Sequence, residues 1–228
     1  MARAGLCSRR EAETWIEEGR VKVGGKTIKT PAFNVQPSDS VSVDGKLLQE
    51  KEPVRLFLYH KPPGLMTTHK DPQGRKTVFE ALPKGLPRLI SVGRLDMNSE
   101  GLLLLTNDGG IARKLELPAN GWIRRYRVRA YGAVGHTMLQ EMKDGLSIDG
   151  VQYGSVEVEL DSQKGDNSWY TVALKEGKNR EIRRIFEHFG CKVSRLIRLS
   201  YGPFALGSLP KGDVKEVQPR VIKSFIKI

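Results

Sequence analysis

Residues 93–109 read GRLDMNSEGLLLLTNDG. The leucine run from Leu102 to Leu105 is far shorter than a membrane span and suits a strand buried within a sheet. The polar turn ahead of it sets Asp96 beside Arg94, just before that strand. A carboxylate so placed is held rigid and partly dehydrated by the sheet, with a cation to keep it ionised. Such a group can act as nucleophile or base. Aspartates in turns are more often structural, so spacing alone leaves both roles open. Asp96, Glu100 and Asp108 also fall within thirteen residues. That admits a metal cluster, but no histidine joins them and a magnesium site needs closer convergence.

Strand patterns recur around this stretch, at 55–59, 126–130, 156–160, 170–174 and 196–199. Residues 61–64, KPPG, break the first, and 67–77 form a polar loop. Residues 181–189 carry Ile182, Ile185, Phe186 and Phe189 as one helical stripe. Strands outnumber helices and do not alternate with them. The expectation for residues 55–228 is therefore an α+β domain on a mixed, mainly antiparallel sheet with flanking helices.

Residues 49–54, QEKEPV, read as a linker, and a small basic unit precedes them over 1–48. Ser8 and Glu11 form an S-x-x-E capping box. Ala12, Trp15 and Ile16 repeat at helical spacing, and Gly19 supplies the stop. Val21 and Val23 with Gly24-Gly25 predict a hairpin, and Val35, Val41 and Val43 with Asp44-Gly45 continue the β pattern. Arg9 and Arg10 lie at the helix start, with Arg20, Lys22 and Lys26 on the hairpin. A short helix with basic ends can lie along an RNA backbone.

The 228 residues are 39% hydrophobic and 28% charged, and carry a formal net charge of +12. So large a positive field favours a polyanionic partner. Two cysteines, Cys7 and Cys191, have no metal spacing and read as reduced thiols. No signal core or stretch of ~20 apolar residues occurs, so the expected location is the cytoplasm. The sequence holds no phosphate loop or dinucleotide fingerprint, and no cofactor or metal is expected. A monomer is the default. None of the four histidines is assigned a catalytic role.

Two further segments carry candidate chemistry. In RRYRVR, residues 124–129, Tyr126 is an aromatic among four arginines. Such interleaving can stack a base and bind its phosphates, although a core tyrosine in a basic edge strand reads the same way. In EGKNREIRR, residues 176–184, Lys178, Arg180, Arg183 and Arg184 crowd a helix start. Ile182 and Ile185 point to the core, so Arg183 and Arg184 cannot both be buried.

The pattern S-R-R-E-A-E…I-x-x-G-R-V-x-V-x-G over residues 8–25 closely resembles the S4 RNA-binding domain. Members of that domain have several more residues here, completing a first helix within which Met1 falls. G-R-L-D-x-x-x-x-G-L-L-L-L-T-N-D-G resembles the signature of the RsuA-type pseudouridine synthases, which join an S4 domain to a catalytic domain and act on ribosomal RNA. Lys61-Pro62-x-Gly64 matches another element of that family.

The resemblance implies that Asp96 is the catalytic aspartate and that Arg94 helps hold the rearranged RNA. It implies that Tyr126 packs against the target base and that Arg183 pairs with Asp96. Lys61, Lys178, Arg180 and Arg184 are then expected as RNA contacts, with Arg9, Arg10, Arg20 and Lys22 in the first unit. The implied reaction detaches uracil at nitrogen, rotates it and rejoins it through carbon, on a nucleotide flipped from a stem-loop. Segments 179–184 and 193–198 are most similar to the large-subunit synthase B type, with the small-subunit type close behind. The rivals are a non-catalytic RNA-binding assembly factor and a metal-dependent ribonuclease.

Overall fold

The computed structural model describes residues 1–50 and 52–225; Lys51 of the expected linker and residues 226–228 lie outside them. Helix α1 spans Arg9–Glu17. Its start is the capping box: the Ser8 hydroxyl accepts from the Glu11 N–H at 3.1 Å, and Glu11 accepts from the Ser8 N–H at 2.7 Å. Gly19, at φ 73°, turns the chain out of the helix. Strands β1 (Val21–Val23), β2 (Lys26–Thr27), β3 (Val41–Val43) and β4 (Lys46–Leu47) form an antiparallel sheet in the order β2-β1-β3-β4. Ile16, Val21 and Val43 make the small core beneath α1. So few apolar groups leave the unit reliant on polar contacts, and Arg20 supplies them. Its guanidinium stacks on Trp15 at 4.7 Å and reaches Asp44 at 2.7 Å and Glu18 at 3.3 Å.

The second unit begins with β5 (Leu56–Lys61), β6 (Ile90–Val92) and β7 (Glu100–Thr106). Helix α2 (Gly109–Glu116), β8 (Arg124–Tyr131) and α3 (His136–Asp144) follow. A hairpin of β9 (Leu146–Ile148) and β10 (Val151–Tyr153) leads into β11 (Val156–Lys164) and β12 (Asn167–Leu174). The chain ends with α4 (Glu181–His188), β13 (Lys192–Tyr201), β14 (Phe204–Ala205), β15 (Val214–Glu216) and α5 (Pro219–Phe225). Among the described residues one nine-stranded sheet runs β11-β12-β8-β13-β7-β5-β15, with β14 on β13 and β6 on β7. Its pairings are antiparallel except that of β13 with β7. The architecture is the expected mixed, mainly antiparallel α+β sheet.

Strand β7 is buried along its whole length because the sheet is covered on both sides there. Leu103 and Leu105 join the core under α4, while Leu102 and Leu104 join a second core against α2 and α5. Helices α2, α3 and α5 had no clear pattern in the sequence. Asp108, a candidate metal ligand, is the N-cap of α2 and accepts from the N–H groups of Gly110 and Ile111. Helix α3 has Gly135 as its N-cap and so lacks a side-chain cap, which leaves little trace of its first turn in composition. Among the described residues no helix is long and apolar enough to cross a membrane.

At the junction of β7 and β13, Gly101 pairs with Arg198. Its φ is +100°, and a Cβ there would stand 2.3 Å from the Arg198 carbonyl oxygen. Only glycine allows this approach, which joins the strand after Asp96 to the strand bearing Arg198.

Candidate active site

Asp96 sits in the turn between β6 and β7, and backbone bonds fix that turn. The Ser99 N–H donates to the Asp96 carbonyl at 3.0 Å, and the Gly64 N–H to the Met97 carbonyl at 2.8 Å. The Thr67 hydroxyl donates to the Leu95 carbonyl at 2.8 Å. Lys61 completes the clamp: its ammonium donates to the carbonyls of Pro62, Met97 and Ser99 at 3.0, 3.1 and 2.9 Å. Lys61 has no exposed surface. This corrects the expectation that it contacts RNA, since its charge is spent inside the protein holding the aspartate turn. Burial brings its pKa down to about 8, against the opposing pull of Asp96 and Glu100.

Two arginines face the carboxylate. Arg183 Nε lies 3.8 Å from Asp96 Oδ2, and Arg180 Nη1 lies 3.9 Å from the same oxygen. Both distances are too long for hydrogen bonds, so these are charge contacts. Arg183 is buried, and its Nη1 and Nη2 donate to the carbonyls of Val193 at 3.0 Å and Asn98 at 3.4 Å. Among the described residues its Nε has no hydrogen-bond partner, and it is the atom nearest Asp96. Burial, with Arg180 close by, lowers the Arg183 pKa, while Asp96 and Glu187 oppose that shift. Arg180, expected as an RNA contact only, stands at the N-cap of α4 in the left-handed conformation, φ 51°. The Asp96 side chain keeps 31% of its surface, so it is half sheltered and reachable.

Asp96 and Tyr126 line one cleft of about 260 Å³. Leu174, Ile182 and Leu196 give it an apolar wall, and Tyr126 is 8% exposed. Arg94 and Lys178 stand exposed at its rim. The cleft opens into a hollow of about 730 Å³ that shares Asp96, Arg94 and Arg180 and adds Thr68, Arg75 and Asn179. A narrow pocket with one apolar side opening into a basic groove suits a flat ring attached to a phosphate chain.

Two arginines of this cleft lie outside the residues expected from the sequence. Arg124 is buried and donates to the carbonyls of Lys175 and Glu176 at 2.5 and 2.8 Å and to the Tyr201 hydroxyl at 2.8 Å. Arg198, also buried, donates from Nε to the Leu102 carbonyl at 2.7 Å. Both guanidiniums lie over the Tyr201 ring, that of Arg124 at 4.6 Å and that of Arg198 at 5.3 Å from its centroid. Strand periodicity held a clue for Arg124, which shares a face with Tyr126. Glu181 lines the same cleft; it accepts from the Lys178 N–H at 2.8 Å, and burial pushes its carboxyl pKa up.

The other expected residues lie apart. Arg9, Arg10, Lys22 and Arg184 are exposed and do not line the cleft, and Arg20 is engaged by Asp44 and Glu18. The metal-cluster alternative is not met. Glu100 is held by Arg195 at 2.8 Å and Lys211 at 2.6 Å, and Asp108 caps α2. Among the described residues no three His, Cys, Asp or Glu side chains are grouped to hold a metal ion.

The RNA pseudouridylate synthase domain model matches residues 55–188, and the S4 domain model matches residues 1–41. A Rickettsia felis protein named as an uncharacterized RNA pseudouridine synthase is 53% identical, over 98% of this chain and 96% of its own. Ribosomal large subunit pseudouridine synthase B of Haemophilus influenzae is 42% identical, over 95% of this chain and 63% of its own. A crystal structure of a pseudouridylate synthase shares the fold at TM-score 0.71 and 24% identity, over 98% of this chain and 96% of that one.

Proposed function

The chain belongs to the RNA pseudouridylate synthase family, and we propose that it isomerises one uridine of large-subunit ribosomal RNA, with Asp96 as the catalytic carboxylate. The observation that carries this reading is the shared cleft: Asp96 lines it with Tyr126, while Arg183 stands 3.8 Å from the carboxylate. Support for the large subunit comes from the 42% identity to the Haemophilus influenzae synthase B.

The target atoms of a paired or stacked uridine are out of reach, so the nucleotide is flipped into the cleft at a cost of a few kcal/mol. Phosphate contacts along the basic groove at Arg94, Lys178 and Arg180 offset that cost. Tyr126 then packs on the uracil, with Leu174, Ile182 and Leu196 excluding water. The reaction breaks the bond from ribose to N1, turns the base and joins ribose to C5; C5 loses a proton and N1 gains one. Asp96 either attacks the sugar or ring, or removes a sugar proton, and both roles need it ionised. Arg183 sets its positive charge 3.8 Å from that carboxylate, its Nε without a hydrogen-bond partner among the described residues. The chain acts as a cytoplasmic monomer on a stem-loop, residues 1–48 gripping the RNA and residues 55–228 carrying the chemistry.

The test is to incubate the protein with unmodified large-subunit and small-subunit RNA, without added metal. Pseudouridine is then mapped by carbodiimide-blocked reverse transcription. The expected result is one new stop in the large-subunit RNA, absent with Asp96→Asn although RNA still binds. A stop that survives Asp96→Asn, or RNA binding with no stop from the native protein, overturns the assignment. A stop in small-subunit RNA alone overturns only the choice of substrate.

A further inference from the structure

Strand β8 has two chemically different faces. Arg124, Tyr126, Val128 and Ala130 turn into the cleft and core, while Arg125, Arg127, Arg129 and Tyr131 turn to solvent on the far side of the sheet. At about 3.4 Å per residue, the three outward arginines stand about 7 Å apart in one row. The neighbouring β13 extends the strip, with Lys192 opposite Tyr131 and Arg195 opposite Arg129.

Folding alone does not account for this row. Like charges side by side on a sheet repel, and opposite charges across strands are the stabilising arrangement. Among the described residues Arg125 and Arg129 have no carboxylate within salt-bridge distance; Arg127 has only Asp161 at 3.8 Å, and Arg195 is held by Glu100. Glu157 and Glu159 on the edge strand β11 share a hollow with Arg125 and close the strip on that side, while Ile197 of β13, opposite Arg127, packs into the second core, so the basic strip follows β8 and reaches β13 at Lys192 and Arg195. Aromatic rings lie among the cations. Trp169, opposite Arg129 on β12, has the Arg127 guanidinium 4.9 Å over its ring, and Tyr131 is 55% exposed. Rows of cations interleaved with exposed rings track a nucleic-acid strand through its phosphates and base faces.

We infer that the outward face of β8, with Lys192 and Arg195 of β13, is a second RNA-binding surface, taking the backbone of the substrate RNA away from the modified nucleotide. It rests on the reading of ribosomal RNA as substrate. Because alternate residues of one strand serve the two faces, the cleft and this surface lie on opposite sides of the sheet. The surface therefore acts on affinity, and the chemistry of bound nucleotide is untouched.

The test compares two triple variants of the full chain that lose equal charge. One is Arg125→Gln with Arg127→Gln and Arg129→Gln. The control is Lys215→Gln with Arg220→Gln and Lys223→Gln, all exposed on β15 and α5. Binding of a large-subunit RNA transcript is measured over a salt series, and the isomerisation rate at saturating RNA is measured beside it. Each lost phosphate contact flattens the log–log salt slope by about 0.7–0.9, so the first variant should lose about two units and the control none. Its saturated rate should match the native rate. The single variants Arg125→Gln and Arg129→Gln should each lose about one unit, which keeps the test decisive if the triple variant misfolds. Equal slopes in all proteins, or equal losses in both triple variants, overturn the second surface. If the native protein neither binds nor modifies the RNA, the substrate reading fails and this inference with it. If the native protein modifies the RNA and the β8 variants keep its slope, only the second surface fails.

Discussion

The Lys61 ammonium donates to the Ser99 carbonyl at 2.9 Å, bridging thirty-eight positions of sequence to tie β5 to the turn that carries Asp96. A lysine in a K-P-x-G element beside a nucleic-acid site invites reading as a phosphate contact. Its complete burial makes it a fastening inside the protein instead.

That fastening has a pH signature. Burial lowers the Lys61 pKa from 10.5 to about 8. The folded chain thus releases this proton before the unfolded chain does. The group's contribution is flat below pH 8, and it favours folding increasingly from pH 8 toward 10.5. The neutral amine, however, has two donors for three carbonyls, so the aspartate turn loosens. The isomerisation rate should fall as pH rises through about 8, while the unfolding midpoint shows no matching loss from this group. Rate and melting curves over that range check it; a rate that stays level past pH 9 counts against the clamp.

Arg183 and Arg180 stand at nearly equal distances from Asp96 but in different surroundings. Arg183 is 9% exposed at its side chain and Arg180 46%. Charge contacts weaken with solvent screening, so the buried arginine should matter more. Arg183→Gln should lower kcat by about 10²-fold, the scale on which single buried donors contribute at active sites. Arg180→Gln should act mainly through KM, with kcat within about tenfold of native. Steady-state kinetics on a stem-loop separate the two, and the reverse order would reject the assigned roles.

Gly101→Ala tests the junction of β7 and β13. The new Cβ would meet the Arg198 backbone at 2.3 Å in a conformation of φ +100° that disfavours side chains. A loss of about 3–5 kcal/mol in unfolding free energy is expected from clash and backbone strain together. Chemical denaturation measures it. A change under about 1 kcal/mol would show that the strands part easily.

In the first unit, Arg9 and Arg10 are exposed, whereas Arg20 bridges Glu18 and Asp44 over Trp15. Arg9→Ala with Arg10→Ala should flatten the salt dependence of RNA binding by up to about one unit per lost contact. The rate on bound RNA and the melting temperature should stay native. Arg20→Ala should instead lower the melting temperature, with a smaller change in salt slope. Filter binding and thermal unfolding distinguish the two; an unchanged slope for the double variant would remove those residues from the RNA surface.

Much of this molecule is legible in local sequence. The capping box of α1, the turns at Gly24-Gly25 and Asp44-Gly45, the leucines of β7 and the stripe of α4 are each decided by neighbours a few positions apart. Hydrogen-bonding groups and apolar period suffice there, so the α+β class followed. The candidate carboxylate Asp96 was also legible, through the motif around it. Helix α3 was not, because it begins without a capping side chain and is held by packing against β11.

What the sequence could not decide is which way a charge faces and what it meets. Lys61, Arg124 and Arg198 are of residue types usual at a surface, yet carbonyls brought from distant parts of the chain let them be buried. Asp108 and Glu100 share a motif with Asp96 but are taken by a helix end and by Arg195 and Lys211. The alternation along β8 became two faces only once β12 and β13 flanked it. Local sequence sets the element, whereas the cost of burying a charge is met by partners remote in the chain, and only the tertiary fold supplies them.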